Sequence, residues 1–339
     1  MKAVHLTAPS LDALRVVTLD DPVPQRGEAL VRLKAASLNF IDVAVATGAY
    51  PGPTFPLVPV ADGAGEVVAL GPDVDTLAVG DRVAIHPKTL WPAGRPSDRG
   101  AHAMRGVERP GSLREYAAVS ADTLVKLPDH LSWEQGASLP ITATTAWNAL
   151  ATADIGPGRT VAVLGTGGSS VATIQLAKAR GARVIVTSSS DEKLERAKAL
   201  GADHLINYRR TPDWDLAVID ATGGHGTDLV LETAGAQTFA RSLNAVRHGG
   251  TVFAIGFLSG GAAEVDLLRI IVKSLRVQGN NTGSAEDLAD AVAAIAAARI
   301  EPVVDRVYEL AEVRRAYEAL AAGGSHFGKL AVRLDFGRV

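Results

Sequence analysis

The spacing of hydrophobic and polar positions changes near residue 126. Before that point, short alternating runs separated by turn residues predict strands at residues 2–6, 28–37, 63–71, 81–85 and 114–119. After it, apolar runs that suit buried parallel strands occur at residues 160–164, 184–187, 216–220, 229–232, 251–256 and 275–279. Helical patterns at residues 141–150, 191–200 and 237–246 lie among them. The chain is therefore predicted to be an α/β protein, with a mostly β domain followed by a doubly wound parallel sheet.

After residue 284, the sequence predicts two further helices and two further strands. Ser284 and Asp287 form a predicted capping box for an alanine-rich helix that runs to Arg299. A strand at 303–307, a helix ended by Gly323 and a strand at 329–334 follow, and we expect this tail to return to the first domain. The predicted division is a first domain at 1–126 and 285–339, with a second domain at 127–284.

One segment of the first domain, residues 87–112, is too long for a simple connection. Among its glycines and prolines it carries Lys88, Arg95, Arg99, Arg105 and Arg109. One interpretation is a solvated surface loop, a lid or a subunit contact. The other is a cationic rim for an acidic substrate.

The stretch from Thr160 to Ser190 is an apolar run, a glycine-rich turn, a helix pattern and a second apolar run. A turn of this kind can receive a pyrophosphate, because the missing Cβ atoms permit close approach and the following helix offers free N–H groups. An ordinary flexible turn is the alternative, but the flanking strands and helix favour a nucleotide site. Ser170 stands where the dinucleotide fingerprint has a third glycine or an alanine. The predicted contacts are Gly165, Thr166, Gly167, Gly168, Ser169 and Ser170.

The composition and the net charge exclude several classes of binding partner. A formal net charge of -3, with charges dispersed over 339 residues, offers no basic field for nucleic acid. The sequence has no cysteine, which excludes disulfides and thiolate-bound zinc. No apolar run reaches membrane-spanning length, and the N-terminus lacks the apolar core of a signal peptide. We therefore expect a cytoplasmic protein with a small-molecule substrate and with neither a nucleic-acid nor a membrane partner.

The chain resembles the zinc-independent quinone oxidoreductase-like branch of the medium-chain dehydrogenase/reductase superfamily. The resemblance rests on ordered blocks that include ASLNFIDVAVATGAYP, VPVADGAGEVVALG, ASLPITATTAWNAL, GTGGSS, ETAG and HFGKL. It implies a GroES-like β-barrel catalytic domain joined to a Rossmann domain, and a homodimer formed through the strand at 275–279.

Within this resemblance, the zinc positions differ. Relatives that are alcohol dehydrogenases hold a catalytic zinc with two cysteines and a histidine, whereas the matching positions here are Asn39, Ala61 and the neighbourhood of Pro140. The histidines show no metal-ligand spacing. We therefore predict no zinc and no other metal.

The end of the second Rossmann strand predicts the cofactor. Ser188 stands where a carboxylate would bind the ribose of NAD, and Ser189 follows it. In quinone oxidoreductases the positions matching Lys193 and Tyr208 contact a 2′-phosphate, so NADPH is predicted in preference to NADH. Alternatively, Ser189 and Glu192 form a capping box and Lys193 is a solvated helix residue.

Further cofactor contacts are predicted at the carboxyl ends of strands, where open α/β sheets bind ligands. Ala234, Gly256 and Phe257 occupy such positions, and Asn280 follows the last strand of the sheet. The resemblance adds Thr144, in a segment that lies close to the cofactor in relatives.

Without a metal, hydride transfer suits acceptors that delocalise charge, namely quinones and α,β-unsaturated carbonyls. The resemblance implies that Asn39, Asp42 and Tyr50 lie near the nicotinamide. We expect Asn39 to orient substrate or cofactor and Tyr50 to line the pocket or donate a proton. The structural alternative is that Asn39 and Asp42 only hold their loop. Two other functions stay open, an alcohol dehydrogenase-like oxidoreductase and a non-catalytic NADPH-binding protein.

Overall fold

The computed structural model describes residues 1–338, which form two compact units. The first unit contains Met1–Thr144 and the chain from Gly283 onward, and the second contains Thr145–Thr282. The boundaries thus fall after residue 144 and before residue 283, whereas the sequence pattern placed them near 126 and 285. Residues 127–144 belong to the first unit because they carry a short helix that packs on its sheet.

The first unit is built on antiparallel strands. Those before residue 145 are β1 (Lys2–Leu6), β2 (Leu14–Thr18), β3 (Glu28–Leu38), β4 (Asp62–Leu70), β5 (Arg82–Ile85), β6 (Tyr116–Ser120) and β7 (Leu124–Lys126). The helices in this part are α1 (Phe40–Ala46), α2 (Asp98–His102), α3 (Trp133–Ala137) and α4 (Leu139–Thr152), the last of which crosses the boundary between the units.

The second unit alternates strands and helices. Its strands are β8 (Thr160–Leu164), β9 (Arg183–Ser188), β10 (His204–Asn207), β11 (Thr227–Glu232), β12 (Val246–Ala254) and β13 (Arg276–Gly279). Its helices are α5 (Gly168–Ala179), α6 (Asp191–Ala199), α7 (Trp214–Ala221), α8 (Phe239–Ala245) and α9 (Leu267–Lys273). The strands pair in parallel in the order β10-β9-β8-β11-β12-β13. The chain reverses direction across the sheet between β8 and β11, which is where doubly wound sheets bind ligands.

The tail returns to the first unit, as predicted. It contributes α10 (Ala285–Ala297), β14 (Val304–Glu309), α11 (Val313–Ala322) and β15 (Lys329–Arg333). Strand β15 pairs in parallel with β14 and antiparallel with β3, so the tail becomes part of the main sheet of this unit. The Ser284 capping box is also confirmed, since Asp287 donates its backbone N–H to Ser284 Oγ at 3.1 Å.

One predicted strand is wrong. Residues 216–220 belong to helix α7, in which Trp214 and Val218 are buried four residues apart while Leu216 is exposed. That spacing has the period of a helix, and the apolar run concealed it. The sixth strand of the sheet is instead β10, an edge strand whose His204 is exposed and which therefore lacks a continuous apolar run.

The long segment at 87–112 is only partly the surface loop that the sequence indicated. Residues 92–99 are exposed, and helix α2 begins within them. The flanking parts are buried, including Lys88 and Arg105, which are each 2% exposed. Trp91, Met104 and Val107 are buried as well, and the last two belong to the hydrophobic core of the first unit. A continuous cationic rim is therefore not formed by these residues.

No helix in residues 1–338 is long and apolar enough to cross a membrane.

Candidate active site

A buried polar cluster lies in the first unit, where three distant parts of the chain meet. Asn39 caps helix α1, Asp62 begins β4 and Lys329 begins β15. Lys329 Nζ donates to Asn39 Oδ1 at 2.6 Å and to the Leu38 carbonyl at 2.7 Å, and it lies 3.6 Å from Asp62 Oδ2. Asp62 is fully buried and Lys329 nearly so. The meeting of β3, β4 and β15 edges thus concentrates charge in an otherwise apolar interior.

Asn39 links the two charged groups of this cluster. Its Nδ2 donates to Asp62 Oδ2 at 2.9 Å while its Oδ1 accepts from Lys329. An amide has one accepting and one donating end, so an acid on one side and an ammonium on the other fix its orientation. Asn39 is only partly buried, which leaves the edge of this amide within reach of a ligand.

Asp42 holds the backbone around this cluster. Its two carboxylate oxygens accept from the backbone N–H groups of Asn39 at 2.7 Å and Ala61 at 2.9 Å. Burial raises the pKa of Asp42 to about 7, and the nearby Asp62 adds to that rise, whereas the two N–H donors oppose it. Because both oxygens are engaged by backbone, Asp42 fits the alternative in which it holds the loop.

The other charges of the cluster are perturbed in the directions that burial dictates. Burial raises the pKa of Asp62, and the opposing effects of Lys329 and Asn39 do not cancel that rise. Burial lowers the pKa of Lys329, against the pull of both carboxylates. Asp62 Oδ1 accepts no hydrogen bond from the described residues. Buried groups whose pKa values are shifted in this way are common at functional sites.

Tyr50 lies apart from this hydrogen-bonded cluster. Its side chain is partly buried, and its backbone N–H donates to the Ala44 carbonyl at 3.1 Å, just beyond helix α1. Burial raises the pKa of the phenol, with a further contribution from the charge of Glu108. Tyr50 therefore keeps its proton at neutral pH and can donate a hydrogen bond.

In the second unit, the glycine turn connects β8 to α5 at the point where the strand order reverses. Gly165 has φ of +74°, which requires glycine, and its N–H donates to Thr187 at 2.9 Å. At Gly167 the φ is an ordinary -76°, yet within residues 1–338 no atom beyond the local backbone lies within 4 Å of the place where a Cβ would stand. The fold itself does not require glycine there, so the open space fits the close approach of a phosphate to the helix N-terminus.

The remaining turn residues have separate roles. Ser170 is buried and its hydroxyl donates to the Leu164 carbonyl at 2.8 Å, which ties the first turn of α5 to the end of β8. A small residue was predicted there for close packing, and the hydroxyl adds a hydrogen bond. Thr166 is nearly buried, and Gly168 and Ser169 form the partly exposed first turn of the helix.

The predicted 2′-phosphate residues come together at the ends of two paired strands. Tyr208 donates its backbone N–H to the Ser188 carbonyl at 3.1 Å, and Lys193 lies in the first turn of α6. The capping prediction for this helix was wrong by one residue. Ser190, and not Ser189, is the N-cap, and its hydroxyl accepts from the Lys193 N–H. Ser189 begins no helix and remains partly exposed beside the strand end.

A carboxylate does lie close by, but its charge is paired. Asp191 accepts from Asn207 Nδ2 at 2.8 Å and from Arg210 Nη2 at 2.5 Å. Asn207 is the register partner of Ser188, so these contacts lie directly at the strand ends. The pairing reduces the repulsion that Asp191 exerts on an incoming phosphate.

Two of the other predicted cofactor residues, Ala234 and Gly256, donate backbone N–H groups to Glu232, a fully buried acid that the sequence reasoning missed. Glu232 accepts from the backbone N–H groups of Ala234 at 2.8 Å and Gly235 at 2.9 Å, and from the Thr238 hydroxyl at 2.8 Å. These bonds shape the loop after β11. A Cβ at Gly256 would stand 1.9 Å from the Thr233 carbonyl, so glycine is needed there for packing. Phe257 beside it is exposed.

Two of the residues predicted to contact the cofactor use their side chains for hydrogen bonds within the protein. The Thr144 side chain is fully buried, and its hydroxyl donates to the Pro140 carbonyl at 2.5 Å, within its own helix. Asn280 accepts from Asn148 Nδ2 at 3.0 Å and donates to the Thr145 hydroxyl at 3.3 Å. Thr144 also belongs to the first unit, unlike the rest of the predicted cofactor set.

A zinc site does not fit the residues present. No group of three or more histidine, aspartate and glutamate side chains among the described residues has the arrangement of a metal site. At the position that matches a zinc ligand, Asn39 Oδ1 is already taken by the Lys329 ammonium. The absence of zinc from the working protein stays a prediction.

Comparison with known proteins places the chain in a family. The profile described as "Alcohol dehydrogenase GroES-like domain" matches residues 25–129, and that described as "Zinc-binding dehydrogenase" matches residues 170–297. A zinc-type alcohol dehydrogenase-like protein of Schizosaccharomyces pombe is 41% identical over 92% of this chain and 93% of its own. The chain belongs to the medium-chain dehydrogenase/reductase superfamily. It is therefore an oxidoreductase with a GroES-like unit and a Rossmann-like unit, as the resemblance implied.

Solved structures of this superfamily share the fold. An NAD-dependent alcohol dehydrogenase is 35% identical, with a TM-score of 0.89 over 99% of this chain and 100% of the other. A crotonyl-CoA carboxylase/reductase in complex with NADP is 25% identical, with a TM-score of 0.88 over 98% of this chain and 94% of the other. One of these two structures is thus named for NAD and alcohol, and the other for crotonyl-CoA with NADP bound.

The residues that sequence reasoning missed are Asp62, Lys329 and Glu232. All three lie in blocks that carried the family resemblance, VPVADGAG, HFGKL and ETAG. The available signal was a charged residue beside an apolar strand pattern, since such a residue needs a partner if the fold buries it.

Proposed function

We propose that this oxidoreductase uses NADPH to reduce a quinone or an α,β-unsaturated carbonyl compound, without a catalytic metal. The observation that carries the proposal is the contact between Lys329 Nζ and Asn39 Oδ1 at 2.6 Å. An ammonium group held between Asn39 and Asp62 fills the place that a metal cation would need. The chemistry must then rely on hydrogen bonds.

Activated alkenes and quinones suit such a site. The reduction of an enone adds one hydride at the β carbon and one proton, and the negative charge that forms between the two steps is delocalised onto oxygen. Hydrogen-bond donors can stabilise a delocalised charge of that kind. When bound, a reduced nicotinamide supplies the hydride. A plain ketone would concentrate the charge on one alkoxide, for which relatives with zinc have a Lewis acid.

The first unit offers two donors for this purpose. Asn39 has a second Nδ2 proton, whose contact with the Ser37 carbonyl is long at 3.4 Å, so that proton is available to a ligand oxygen. Tyr50 keeps its phenolic proton because burial raises its pKa. In this proposal Asn39 orients the carbonyl, Tyr50 donates the proton, and Lys329 with Asp62 holds the Asn39 amide in place.

The preference for NADPH is supported by the strand ends of the second unit. Ser188 is uncharged where an NAD site has an acid, and the nearby Asp191 is neutralised by Arg210. Lys193 stands in the first turn of α6, the helix that follows this strand end, where it adds a positive charge to the site. A crotonyl-CoA carboxylase/reductase relative in complex with NADP agrees with this preference.

An alcohol dehydrogenase activity is the second candidate, since the Schizosaccharomyces pombe relative is named as alcohol dehydrogenase-like. The two candidates are separated by one set of assays on the full chain. NADPH oxidation is followed with quinones, enals, enones and enoyl thioesters, and NADP⁺ and NAD⁺ reduction is followed with primary and secondary alcohols, each with and without a chelator. We expect chelator-insensitive turnover of one of the first classes.

Failure with every quinone and activated alkene would overturn the proposal. Chelator-sensitive alcohol oxidation would establish the second candidate. Tight NADPH binding with no turnover in either direction would identify a binding protein. With an active substrate in hand, Tyr50→Phe tests the proton donor, because unchanged turnover would assign the proton to solvent.

We also propose that the protein is a homodimer. Helix α9 presents Leu267, Leu268, Ile271 and Val272, each at least 62% exposed, beside the edge strand β13. Unpaired edge strands and exposed apolar faces are features that a second copy can cover. Sedimentation of the wild type is expected to give a dimer and that of Ile271→Asp a monomer, whereas a monomeric wild type would refute this part.

A further inference from the structure

Two arginines of the first unit place positive charge in its interior. Arg105 lies in the segment 87–112 and is 2% exposed, although its sequence neighbourhood indicated a surface loop. Arg114 follows that segment, is partly buried, and bridges to Ala3 of β1. A guanidinium does not lose its proton at neutral pH, so both side chains bring a full charge with them.

Neither charge is matched by an acid. Within residues 1–338, no ion pair includes Arg105 or Arg114, and the Nε atoms of both are buried without a hydrogen-bond partner. Among residues 1–338, the one hydrogen bond of the Arg105 side chain runs from Nη2 to the Gly111 carbonyl at 3.2 Å. A buried charge with so few partners is costly, because the lost hydration is not replaced.

The nearest acids along the chain are used elsewhere. Glu108 is exposed and accepts from the Met104 N–H at 2.9 Å, and Glu115 accepts from the Lys2 N–H at 2.5 Å. Arg105 and Arg114 also act on each other. Burial and the charge of Arg114 together lower the pKa of Arg105 well below its ordinary value, which is the effect expected of two neighbouring like charges. The pair therefore lacks a negative charge.

We propose that Arg105 and Arg114 form a binding site for a small oxyanion of the phosphate, sulfate or carboxylate class. Guanidinium Nε–H and Nη–H groups point in parallel and match two oxygens of such an anion. One oxyanion between the two side chains satisfies both Nε donors and removes the repulsion between the two cations. Since Arg114 is only partly buried, the pair is not sealed from solvent.

The loop that contains Arg105 is hydrogen-bonded to the segment before Asp62, so anion binding should affect both. Gly111 and Ser112 donate their N–H groups to the Val58 and Val60 carbonyls, both at 2.7 Å, and Ser112 Oγ donates to the Ala61 carbonyl at 3.3 Å. The loop at residues 105–112 is thereby joined to the residues directly before Asp62. An anion that fixes the loop should stabilise that segment as well.

The test is an anion titration of the full-length wild type without dinucleotide. Thermal unfolding is measured in inorganic phosphate, in sulfate and in chloride at matched ionic strength. We expect a saturable rise in Tm of a few degrees at about 100 times Kd for an oxyanion, and no comparable rise in chloride. Equal shifts in all three salts, or none, would overturn the proposal, because screening alone does not depend on the identity of the anion.

Three variants locate the effect. Arg105→Met keeps much of the side-chain volume and removes the charge, so the oxyanion-specific shift should disappear. Arg109→Met, in the same loop but exposed, should keep it. If Arg105→Met does not fold, Arg114→Met takes its place beside the wild-type titration. Retention of the full shift in the folded Arg105 or Arg114 variant would remove these side chains from the site.

Discussion

The two candidate sites of this chain are built in different ways. The nucleotide site of the second unit consists mainly of backbone, from one continuous stretch that includes Gly165–Ser170 and the strand end at Ser188. The polar cluster of the first unit consists of side chains, drawn from Asn39, Asp42, Asp62 and Lys329. A backbone site depends on what is absent, namely Cβ atoms, whereas a side-chain cluster depends on each partner being present. The two should therefore fail in different ways when they are altered.

The largest effect is expected from Lys329→Met. It leaves Asp62 and Asn39 without their ammonium partner, and breaking a buried pair in this way costs about 3–5 kcal/mol. Chemical unfolding of the full chain should show this loss, with turnover reduced as well. Lys126→Met is the control, because its ion pair with Asp81 lies at the surface and should contribute about 0–1 kcal/mol. Equal stability of the two variants would contradict the importance of the cluster.

A smaller effect, confined to binding, is expected from Gly167→Val. The protein leaves open space at this position and its φ is ordinary, so the fold should tolerate the side chain. A bound pyrophosphate would meet it, and we expect NADPH affinity to fall by about 100-fold, or about 2.7 kcal/mol. Gly261→Val, also in open space, serves as the control for valine itself. Fluorescence titration measures the affinity, and unchanged binding by the Gly167 variant would place the pyrophosphate elsewhere.

The pH dependence of the unfolding free energy should report on the polar cluster of the first unit, through Asp42. The pKa of Asp42 is raised from 3.8 to about 7 in the folded protein, so the folded state holds a proton that the unfolded state has released. The proton bound at Asp42 stabilises the folded state fully below pH 3.8. This stabilisation is lost as the pH rises toward 7, by at most about 1.4 kcal/mol for each pH unit.

Unfolding free energies measured from pH 4.5 to 7.5 should therefore decline through a component that Asp42→Asn abolishes. The variant is expected to be less stable at every pH, because its amide Nδ2 would face a backbone N–H in place of an accepting oxygen. The slope, and not the absolute stability, is the measurement that matters. A slope shared by wild type and variant would show that Asp42 is ionised throughout this range.

The same contrast explains what could be predicted from the sequence. The strand at Thr160–Leu164 and the turn after it were predicted because their signals are local, consisting of an apolar run and glycines. Lys329 was missed as a site residue because its partners are Asn39 and Asp62, and no local pattern reports a contact across that separation. The strand predicted at 216–220 was wrong for a related reason, since an apolar run does not distinguish a helix from a strand.

The burial of Arg105 could not be predicted from the sequence. Arginine among glycines and prolines predicts a solvated loop, and Arg95, Arg99 and Arg109 are indeed exposed. Arg105 is buried because Gly106 and Gly111 allow the loop to press against the backbone of Pro59 and Val60, where Cβ atoms would stand within 2.8 and 2.4 Å. Burial there depends on tertiary contact, which composition cannot report.

The smallest effect is expected at the 2′-phosphate end of the nucleotide site, the one place where it too depends on side chains. Lys193→Ala should weaken NADPH binding by about tenfold and leave NADH binding unchanged, because only the former carries the phosphate. Lys198→Ala in the same helix is the matched control, since this lysine lies in the last turn and pairs with Glu195 at the surface. Dissociation constants for both cofactors, measured at two salt concentrations, decide the matter. A change shared by NADPH and NADH would mean that Lys193 supports helix α6 and does not read the phosphate, and the preference would then rest on Ser188, Ser189 and Tyr208.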